Sequence, residues 1–397
     1  MTYRILIHNA RVFTPNGSLQ PGWLLTEDSQ IYAMGPGYPP DFEAGRISRR
    51  IDAGGYRLLP GLIDLHVHGA MGHETMDASP VGLRQMARFY ARHGVTGFLA
   101  TTWTASGERI LAAIQAAAET SGSIPGGAAL LGLHLEGPYL NPEKCGAQDT
   151  RMIRRAERLE ALQFLDAGPV RLLALAPEFP ENLWLIDECV RRGIAVAAGH
   201  TTAGLPEMQL AVAHGLRQVT HCFNGMQGFG HRDIGTVGAA MALPEVSCEL
   251  IADNIHVHPA AQKILVDVKG CDGVILITDA IRGAGMPDGE YPIDDRTVTI
   301  RDGQVRLPDG TLAGSVLTLE RGLGNVIHNT GRSLQEAWRM SSLNAARAIG
   351  LSARKGSLEP GKDADLVLLD QEFNVALTVV EGKIAYEKLS AGQPNES

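Results

Sequence analysis

The sequence predicts an α/β protein: a (β/α)8 TIM barrel with a small β-sandwich domain built from both chain ends. Apolar strand-like runs alternate with helix-like segments from about residue 60, which is typical of a parallel sheet. The alternation runs through eight strands, and strand-like segments without convincing helices lie on both sides of it. A doubly wound open sheet would alternate in the same way, but the count of eight and the 397-residue length favour a closed barrel.

The composition is that of an ordinary globular protein, with 44% hydrophobic and 20% charged residues. A net charge of −9 argues against nucleic acid or an anionic membrane as a partner, but it does not argue against a small anionic substrate. The sequence has no apolar run that could span a membrane, and it begins like a strand rather than a signal peptide. Five widely spaced cysteines without a CxxC pair indicate reduced thiols. We therefore expect a cytoplasmic protein.

Both ends of the chain read as short strands and turns. Apolar runs occupy residues 5–7 and 10–13 near the N-terminus, and similar runs occupy residues 364–369 and 376–380 near the C-terminus. Because the two ends resemble each other, they would most simply fold together. We expect residues 1–57 and 350–397 to form the small β domain, and residues 58–349 to form the barrel.

Local signals define the barrel elements in order. Ser79 followed by Pro80 predicts a helix start, and Gly94 predicts the end of that helix. The predicted strands are residues 60–68, 95–101, 129–135, 170–176, 194–198, 218–220, 247–252 and 274–278. The further predicted barrel helices are residues 107–120, 154–165, 181–192, 205–214, 237–243 and 260–268. After the eighth strand we expect a hairpin of residues 297–300 and 304–307, then helices at 317–328 and 333–349.

Polar residues that can bind a metal follow the predicted strands. Two histidines two positions apart point to the same side of a strand, so the first strand alone supplies half of a metal site. Because active sites of such barrels lie at the carboxyl ends of the strands, the residues at the other strand ends should meet that pair. These residues are His66 and His68 on the first strand, Glu136, His200, His221 and Asp279. A lone histidine there is more often a core residue, but the joint pattern favours a metal site.

Histidine and carboxylate ligands without thiolate suit a divalent transition metal, foremost Zn²⁺, with Fe²⁺, Mn²⁺ or Co²⁺ as alternatives. Cys222 adjoins His221 but should point to the opposite side of its strand. Such a metal lowers the pKa of a bound water from about 15.7 towards about 7. Asp279 is then the predicted base, which takes a proton from the water and delivers it to the leaving group. A helix cap is the alternative role for Asp279, and the loop-like residues after it disfavour that role.

These residues carry a resemblance to a known family. The paired histidines, the later histidines and the aspartate on the eighth strand resemble the amidohydrolase superfamily. The segments His-Leu-Glu-Gly-Pro at 134–138 and Thr-His-Cys-Phe-Asn-Gly-Met at 220–226 resemble the N-acetylglucosamine-6-phosphate deacetylases. Residues 199–201, 252–257 and 278–280 fit the same family, and residues 342–347 and 361–367 fit the superfamily. The resemblance covers nearly the whole chain.

The resemblance implies hydrolysis of the N-acetyl amide of a hexosamine 6-phosphate, with release of acetate. It implies one or two metal ions, the main one held by Glu136, His200 and His221 and a second by His66 and His68. It also implies a homodimer, because the arginine of the family reaches the phosphate bound by the neighbouring subunit. The implied substrate-binding residues are Asn224, Gly225, Arg232, His256, Ala147 and Ala313.

The sequence departs from the family at two places. The family carries histidine after Lys-x-Gly-Ala to polarise the amide carbonyl, and here Gln148 follows Lys144-Cys145-Gly146-Ala147. Gln148 can donate an N–H in its place, but it is neutral and less adaptable, and such a donor is worth about 10²–10³ in rate. Three interpretations stay open: a slower usual reaction, a different acyl group or sugar, or a second metal that polarises the carbonyl. The second departure is His231-Arg232-Asp233-Ile234-Gly235 instead of Arg-Glu-Pro-Gly. From the residues alone, the glycine-rich loop 225–230 could bind phosphate or be a surface loop with an incidental arginine.

Two alternative functions stay open at this point. One keeps the chemistry and changes the substrate to N-acetylgalactosamine 6-phosphate or an unphosphorylated N-acyl sugar. The other is a non-catalytic binding protein of the same fold. Such a protein should have lost metal ligands, and all six strand-end groups are present here.

Overall fold

The computed structural model describes residues 2–42 and 46–388, and within them a parallel barrel forms the centre of the molecule. Its eight strands pair in chain order. They are Leu62–Val67, Val95–Thr101, Ala129–Glu136, Val170–Leu175, Ala195–Ala198, Gln218–Val219, Ser247–Ile251 and Val274–Ile277. The predicted barrel is confirmed, and each strand lies within one or two residues of its predicted position.

The barrel closes at the carboxyl ends of its first and last strands. The Asp279 N–H donates to the His66 carbonyl at 2.9 Å, and the His68 N–H donates to the Ala280 carbonyl at 2.8 Å. Asp64, fully buried on the first strand, accepts the Thr278 hydroxyl at 2.6 Å. These contacts fix the two histidines of the first strand beside Asp279.

Helices surround the barrel and follow the predicted order. The barrel helices are Pro80–Arg92, Gly107–Thr120, Arg158–Ala167, Pro180–Arg191, Leu205–His214, Gly235–Ala242, Pro259–Lys269 and Leu319–Thr330. Ser79 caps the first of them by accepting the Gly82 N–H at 3.2 Å, as predicted. Short 3₁₀ turns occupy Thr75–Asp77, Pro142–Lys144 and Cys271–Gly273.

The single helix predicted at 333–349 is wrong. The chain instead forms Leu334–Ala337, a 3₁₀ turn at Trp338–Ser341, and a separate helix at Leu343–Ala348. The hydroxyls of Ser341 and Ser342 donate to the Trp338 carbonyl at 2.9 and 3.1 Å. Serine side chains that bond backward in this way compete with the helical backbone bonds, which explains the break.

Strands from both chain ends form one further hydrogen-bonded sheet. Its members are Ile5–Thr14, Gly17–Glu27, Gln30–Pro36, Arg49–Asp52, Arg57–Pro60, Leu366–Leu369, Val375–Val380 and Lys383–Glu387. Leu368 pairs with Leu58, and both share an apolar core with Ile7 and Leu24. The predicted β domain built from both ends is confirmed. Its borders stay our proposal, and residues 1, 43–45 and 389–397 of the predicted domain lie outside the described residues.

A three-stranded insertion follows the eighth barrel strand. The predicted hairpin is present as Arg296–Arg301 and Gln304–Arg306, and a strand that the sequence did not predict, Gly289–Ile293, pairs with it. A small ribbon of Gly69–Ala70 and His73–Glu74 extends the end of the first barrel strand. Within residues 2–42 and 46–388, no helix is both long and apolar enough to cross a membrane. The five cysteines are free thiols.

Candidate active site

The polar residues at the strand ends converge at the carboxyl end of the barrel. His66 and His68 extend from the first strand, and Glu136 is the last residue of the third. Two further histidines and an aspartate directly follow the fifth, sixth and eighth strands. All six side chains are buried, with residue exposures of 0–7%, and they are His66, His68, Glu136, His200, His221 and Asp279. These six side chains lie together because parallel strands end at the same edge of a barrel.

Three of these residues have a left-handed backbone. The φ angles are 46° at His200, 29° at His221 and 52° at Asp279. Residues with a Cβ rarely adopt this region, and it costs about 1–3 kcal/mol for each residue unless surrounding contacts impose it. Here the chain turns sharply at the end of a strand, which directs each side chain across the barrel mouth. Such strain is concentrated at functional sites.

Glu136, His200 and His221 form one cluster of ligand atoms. Glu136 Oε1 lies 3.0 Å from His200 Nε2 and 2.9 Å from His221 Nε2, and the two nitrogens are 3.1 Å apart. The Nδ1–H of His200 donates to the Lys144 carbonyl at 2.8 Å, and that of His221 donates to the Asn224 carbonyl at 3.1 Å. With the protons on Nδ1, both Nε2 atoms present lone pairs to the same point. Three lone-pair donors therefore converge as metal ligands do.

A second cluster adjoins the first and shares Glu136. His66 Nε2 and His68 Nε2 are 3.2 Å apart, and they lie 3.6 and 3.3 Å from Glu136 Oε2. Asp279 Oδ1 lies 3.4 Å from His66 Nε2 and 3.2 Å from His68 Nε2. One carboxylate therefore faces both clusters with different oxygens, which suits two neighbouring divalent ions.

The charges of these buried groups favour a bound cation. Burial would raise the pKa of Glu136, but the adjacent imidazoles lower it well below its ordinary value. Burial would likewise lower the pKa of His66, but the carboxylates of Glu136 and Asp279 raise it well above its ordinary value. The protein atoms alone thus draw a proton into the site to balance the carboxylates. A divalent metal would supply that charge, so the donor set fits the predicted cofactor.

A buried glutamate orients His66 from behind. Thr220 donates its hydroxyl to Glu249 Oε2 at 2.7 Å, and His66 Nδ1 lies 3.1 Å from the Thr220 hydroxyl and 3.4 Å from Glu249 Oε2. Glu249 is fully buried in the seventh strand. A carboxylate that accepts the second ring N–H of a ligating histidine fixes the tautomer and orientation of the ring. Nothing in the local sequence around Glu249 indicates this role.

Glu249→Gln should weaken metal binding between His66, His68 and Glu136 by about 10–100-fold, since the amide removes the charged acceptor behind His66. Titration of the metal-free protein with Zn²⁺ by calorimetry would measure this. Glu245→Gln is the matched control, because Glu245 is exposed just before the same strand. A Glu249→Gln isotherm identical to the wild-type isotherm would contradict this orienting role.

Gln148 lies in the site, but its amide is already engaged. Its Nε2 donates to Glu136 Oε2 at 2.7 Å, and its Oε1 accepts the Thr104 N–H at 2.8 Å. The Thr104 contact fixes which end of the amide faces Glu136. One of the two Nε2 hydrogens is therefore used by Glu136, and the other is left for a substrate oxygen.

Gly225 is required where the backbone approaches His200. Its φ is 58°, and a Cβ at this position would lie 2.8 Å from His200 Nδ1. Any other residue would therefore displace the histidine ring from the cluster. The neighbouring Asn224 donates its side-chain amide to the His221 carbonyl at 3.3 Å, which ties the glycine-rich loop to the ligands.

A cavity of about 380 Å³ opens over the two clusters and is large enough for a sugar phosphate. The predicted substrate residues that line it are Ala147, Asn224, Gly225 and His256. Burial would lower the pKa of His256, but a 2.6 Å hydrogen bond to Asp253 raises it above its ordinary value.

The structure places two predicted substrate residues outside this cavity. Ala313 is fully buried, and its neighbours Leu312 and Gly314 form the wall instead, which corrects the assignment of Ala313. Arg232 is exposed on the loop before the helix Gly235–Ala242 and is not among the lining residues. Its predicted contact with a neighbouring subunit therefore stays a prediction.

Trp103 and Arg306 line the cavity, and neither was predicted from the sequence. The indole of Trp103 stacks on the His68 ring, with centroids 3.9 Å apart and planes inclined by 14°. Its position two residues after the second strand was the available signal. Arg306, at the end of the insertion hairpin, also lines the cavity. The hairpin was predicted, but nothing in its local sequence indicates that it reaches the barrel mouth.

Comparison with known proteins places this geometry in context. Residues 57–385 match the amidohydrolase family. The N-acetylglucosamine-6-phosphate deacetylase of Bacillus subtilis (strain 168) is 37% identical, over 99% of this chain and 100% of the relative. The N-acetylgalactosamine-6-phosphate deacetylase of Escherichia coli O157:H7 is 38% identical, over 83% of this chain and 87% of the relative.

A solved structure resembles the whole chain. It is the N-acetyl-D-glucosamine-6-phosphate deacetylase of Mycobacterium smegmatis, a D267A mutant in complex with N-acetyl-D-glucosamine-6-phosphate. The TM-score is 0.89 at 30% identity, and the alignment covers 96% of this chain and 99% of that one. The similarity therefore extends over both the barrel and the small β domain.

Proposed function

This chain belongs to the amidohydrolase family, and we propose from this premise that it hydrolyses the N-acetyl amide of N-acetylglucosamine 6-phosphate to glucosamine 6-phosphate and acetate. The observation that carries the proposal is the shared carboxylate of Glu136 between two histidine pairs, with Asp279 beside them. Relatives that cover the full chain act on this substrate according to their names.

Metal binding and proton transfer are assigned to different residues of the site. Glu136, His200 and His221 would hold the main metal ion, and His66 and His68 with Glu136 would hold a second. A divalent metal held by these residues would supply Lewis-acid chemistry, a lower pKa for a water and polarisation of the amide carbonyl. Asp279, at the same barrel mouth, accepts the proton of the attacking water and later delivers it to the amide nitrogen. The carbon–nitrogen bond breaks, and acetate and the free amine leave.

The neighbouring side chains position the reacting amide. Trp103 and Leu312 provide apolar surface in the cavity, which suits an acetyl methyl group. The remaining N–H of Gln148 is a donor for the carbonyl oxygen as negative charge develops there. Gln148 thus takes the position for which the family uses histidine.

Metal identity and assembly belong to the same proposal. We infer Zn²⁺ as the resident metal from the histidine–carboxylate donor set, with Fe²⁺, Mn²⁺ or Co²⁺ as alternatives and one or two ions bound. We also infer a cytoplasmic homodimer. Arg232 is exposed on its loop, and the cavity of its own chain is lined by other residues, which suits a contact of Arg232 across subunits.

A substrate panel tests the proposed function. Metal-verified protein should release acetate from N-acetylglucosamine 6-phosphate with the highest kcat/KM, and a chelator should abolish the release until Zn²⁺ is restored. The 4-epimer, N-acetylgalactosamine 6-phosphate, is the second candidate substrate, because one relative at 38% identity carries that name. A higher kcat/KM for the epimer would reassign the substrate to N-acetylgalactosamine 6-phosphate and leave the proposed hydrolysis unchanged. Protein that holds metal and cleaves neither sugar phosphate would refute the proposal.

A further inference from the structure

Arg306 brings a permanent positive charge into the cavity above the metal ligands. It is the last residue of the hairpin strand Gln304–Arg306, is exposed, and lines the cavity. Among the lining residues in the described part of the chain, it is the one lysine or arginine. Of the two carboxylates that line the same cavity, Glu136 belongs to both candidate ligand clusters, and Asp279 Oδ1 lies 3.2 Å from His68 Nε2. The positive charge of Arg306 therefore remains available to a bound ligand.

The hairpin holds the guanidinium of Arg306 in place and leaves donors free. Its Nε–H donates to Gln304 Oε1 at 3.0 Å, and Nη1 donates to the Gly310 carbonyl at 2.6 Å. The turn that supplies Gly310 is itself closed by the Leu307 N–H, which donates to the Thr311 carbonyl at 2.9 Å. A guanidinium has five N–H groups, so three remain for a ligand. This orientation is set before any ligand binds, which reduces the entropic cost of binding.

The charge of Arg306 is also not neutralised by the protein. Within residues 2–42 and 46–388, no carboxylate lies within 4.0 Å of its guanidinium, whereas the nearby Arg296 pairs with Asp294 at 3.1 Å. Arg306 and His256 both line the cavity. Two groups that can carry positive charge therefore face the cavity. The planar guanidinium presents N–H groups in parallel, and the oxygens of a phosphate group are spaced to accept such a pair.

We propose that Arg306 is a specificity-determining residue that binds the 6-phosphate of the substrate from within the same chain. This inference rests on the proposed function. With Arg306 in this role, the insertion hairpin discriminates phosphorylated from unphosphorylated N-acetyl sugars. Arg306 forms charge-assisted hydrogen bonds to the phosphate oxygens through its free N–H groups, and His256 adds a further donor.

The test compares two substrates across four proteins. The kcat/KM values for N-acetylglucosamine 6-phosphate and for N-acetylglucosamine are measured in wild type, Arg306→Met, Arg306→Lys and Arg301→Met. Arg306→Met should lower the value for the phosphorylated sugar by about 10–100-fold, mainly through KM, and leave the other value unchanged. Arg306→Lys should recover part of the loss, because lysine keeps the charge but not the fork of donors.

A measurement of inhibition and a matched control variant make the comparison specific. The inhibition constant of glucosamine 6-phosphate should weaken by the same factor in Arg306→Met. Arg301→Met is the matched control, since Arg301 lies on the same hairpin with an 85% exposed side chain and should behave as wild type.

The outcomes separate the inference from the proposed function. If wild type prefers the phosphorylated sugar and Arg306→Met keeps the preference, Arg306 does not bind the phosphate and the proposed function stands. Equal losses on both sugars would assign Arg306 a structural role and also overturn the inference. If wild type shows no preference for the phosphorylated sugar, the phosphate in the proposed function fails, and the inference fails with it.

Discussion

Asp279→Asn should lower kcat for acetate release by about 10²–10⁴-fold and leave the metal content unchanged. The reason is that the amide cannot accept the proton of the attacking water, whereas general acid–base catalysis by a positioned carboxylate supplies a factor of this size. Glu136, His200 and His221 do not depend on Asp279 for their mutual contacts, so the main metal ion should stay bound. Acetate assays together with elemental analysis of the same protein would measure both effects.

The matched control for this variant is Asp302→Asn. The side chain of Asp302 is 86% exposed at the turn of the insertion hairpin, so the same chemical change there should leave kcat unaffected. Wild-type kcat in Asp279→Asn would remove Asp279 as the base. Loss of the metal together with activity would instead show that Asp279 is a metal ligand. Its 3.2 Å distance from His68 Nε2 would then reflect a shared metal ion.

Glu136→Gln should have the second large effect, the loss of metal from both clusters. Oε1 of Glu136 faces His200 and His221, and Oε2 faces His66 and His68, so one substitution removes a charged ligand from each group. We expect activity to fall by about 10³-fold or more, since without the metal the pKa of the attacking water is not lowered. Metal stoichiometry and kcat, measured across a range of added Zn²⁺, would report the loss.

Glu290→Gln serves as the control, because Glu290 is exposed on the hairpin strand Gly289–Ile293. Full metal content in Glu136→Gln would contradict the bridging role. Loss of one ion with retention of the other would show that the two clusters are independent, and that Glu136 belongs to the one that is lost.

Much of the fold could be predicted because its signals are local. A helix start at Ser79 and Pro80 depends on the hydrogen bonds of one turn, and a strand such as Val95–Thr101 is apolar in a continuous run. The break within 333–349 was missed because two serine hydroxyls compete with the helix, and apolar periodicity does not register such competition.

The candidate site divides in the same way. His66 and His68 could be paired from their spacing, and the other ligands from their place at strand ends. Glu249 and Trp103 were not assigned, because each acts through a contact with a residue far away in sequence. Arg306 was not assigned, because nothing in its local sequence indicates that its hairpin reaches the barrel mouth. Glu249 reads locally as one polar residue in a strand, and its role exists only because the sixth and seventh strands bring it to Thr220 and His66.

From the sequence by itself the barrel could be predicted, and the candidate metal ligands and candidate base could be assigned to one edge of it, because parallel strands end there. Only the tertiary structure decided which atoms of these groups lie next to one another. It placed one oxygen of Glu136 in each cluster, directed the Gln148 amide to that carboxylate, and brought Arg306 into the cavity. The physical reason is that ligand geometry and charge depend on distances of about 3 Å between segments whose approach no local pattern specifies.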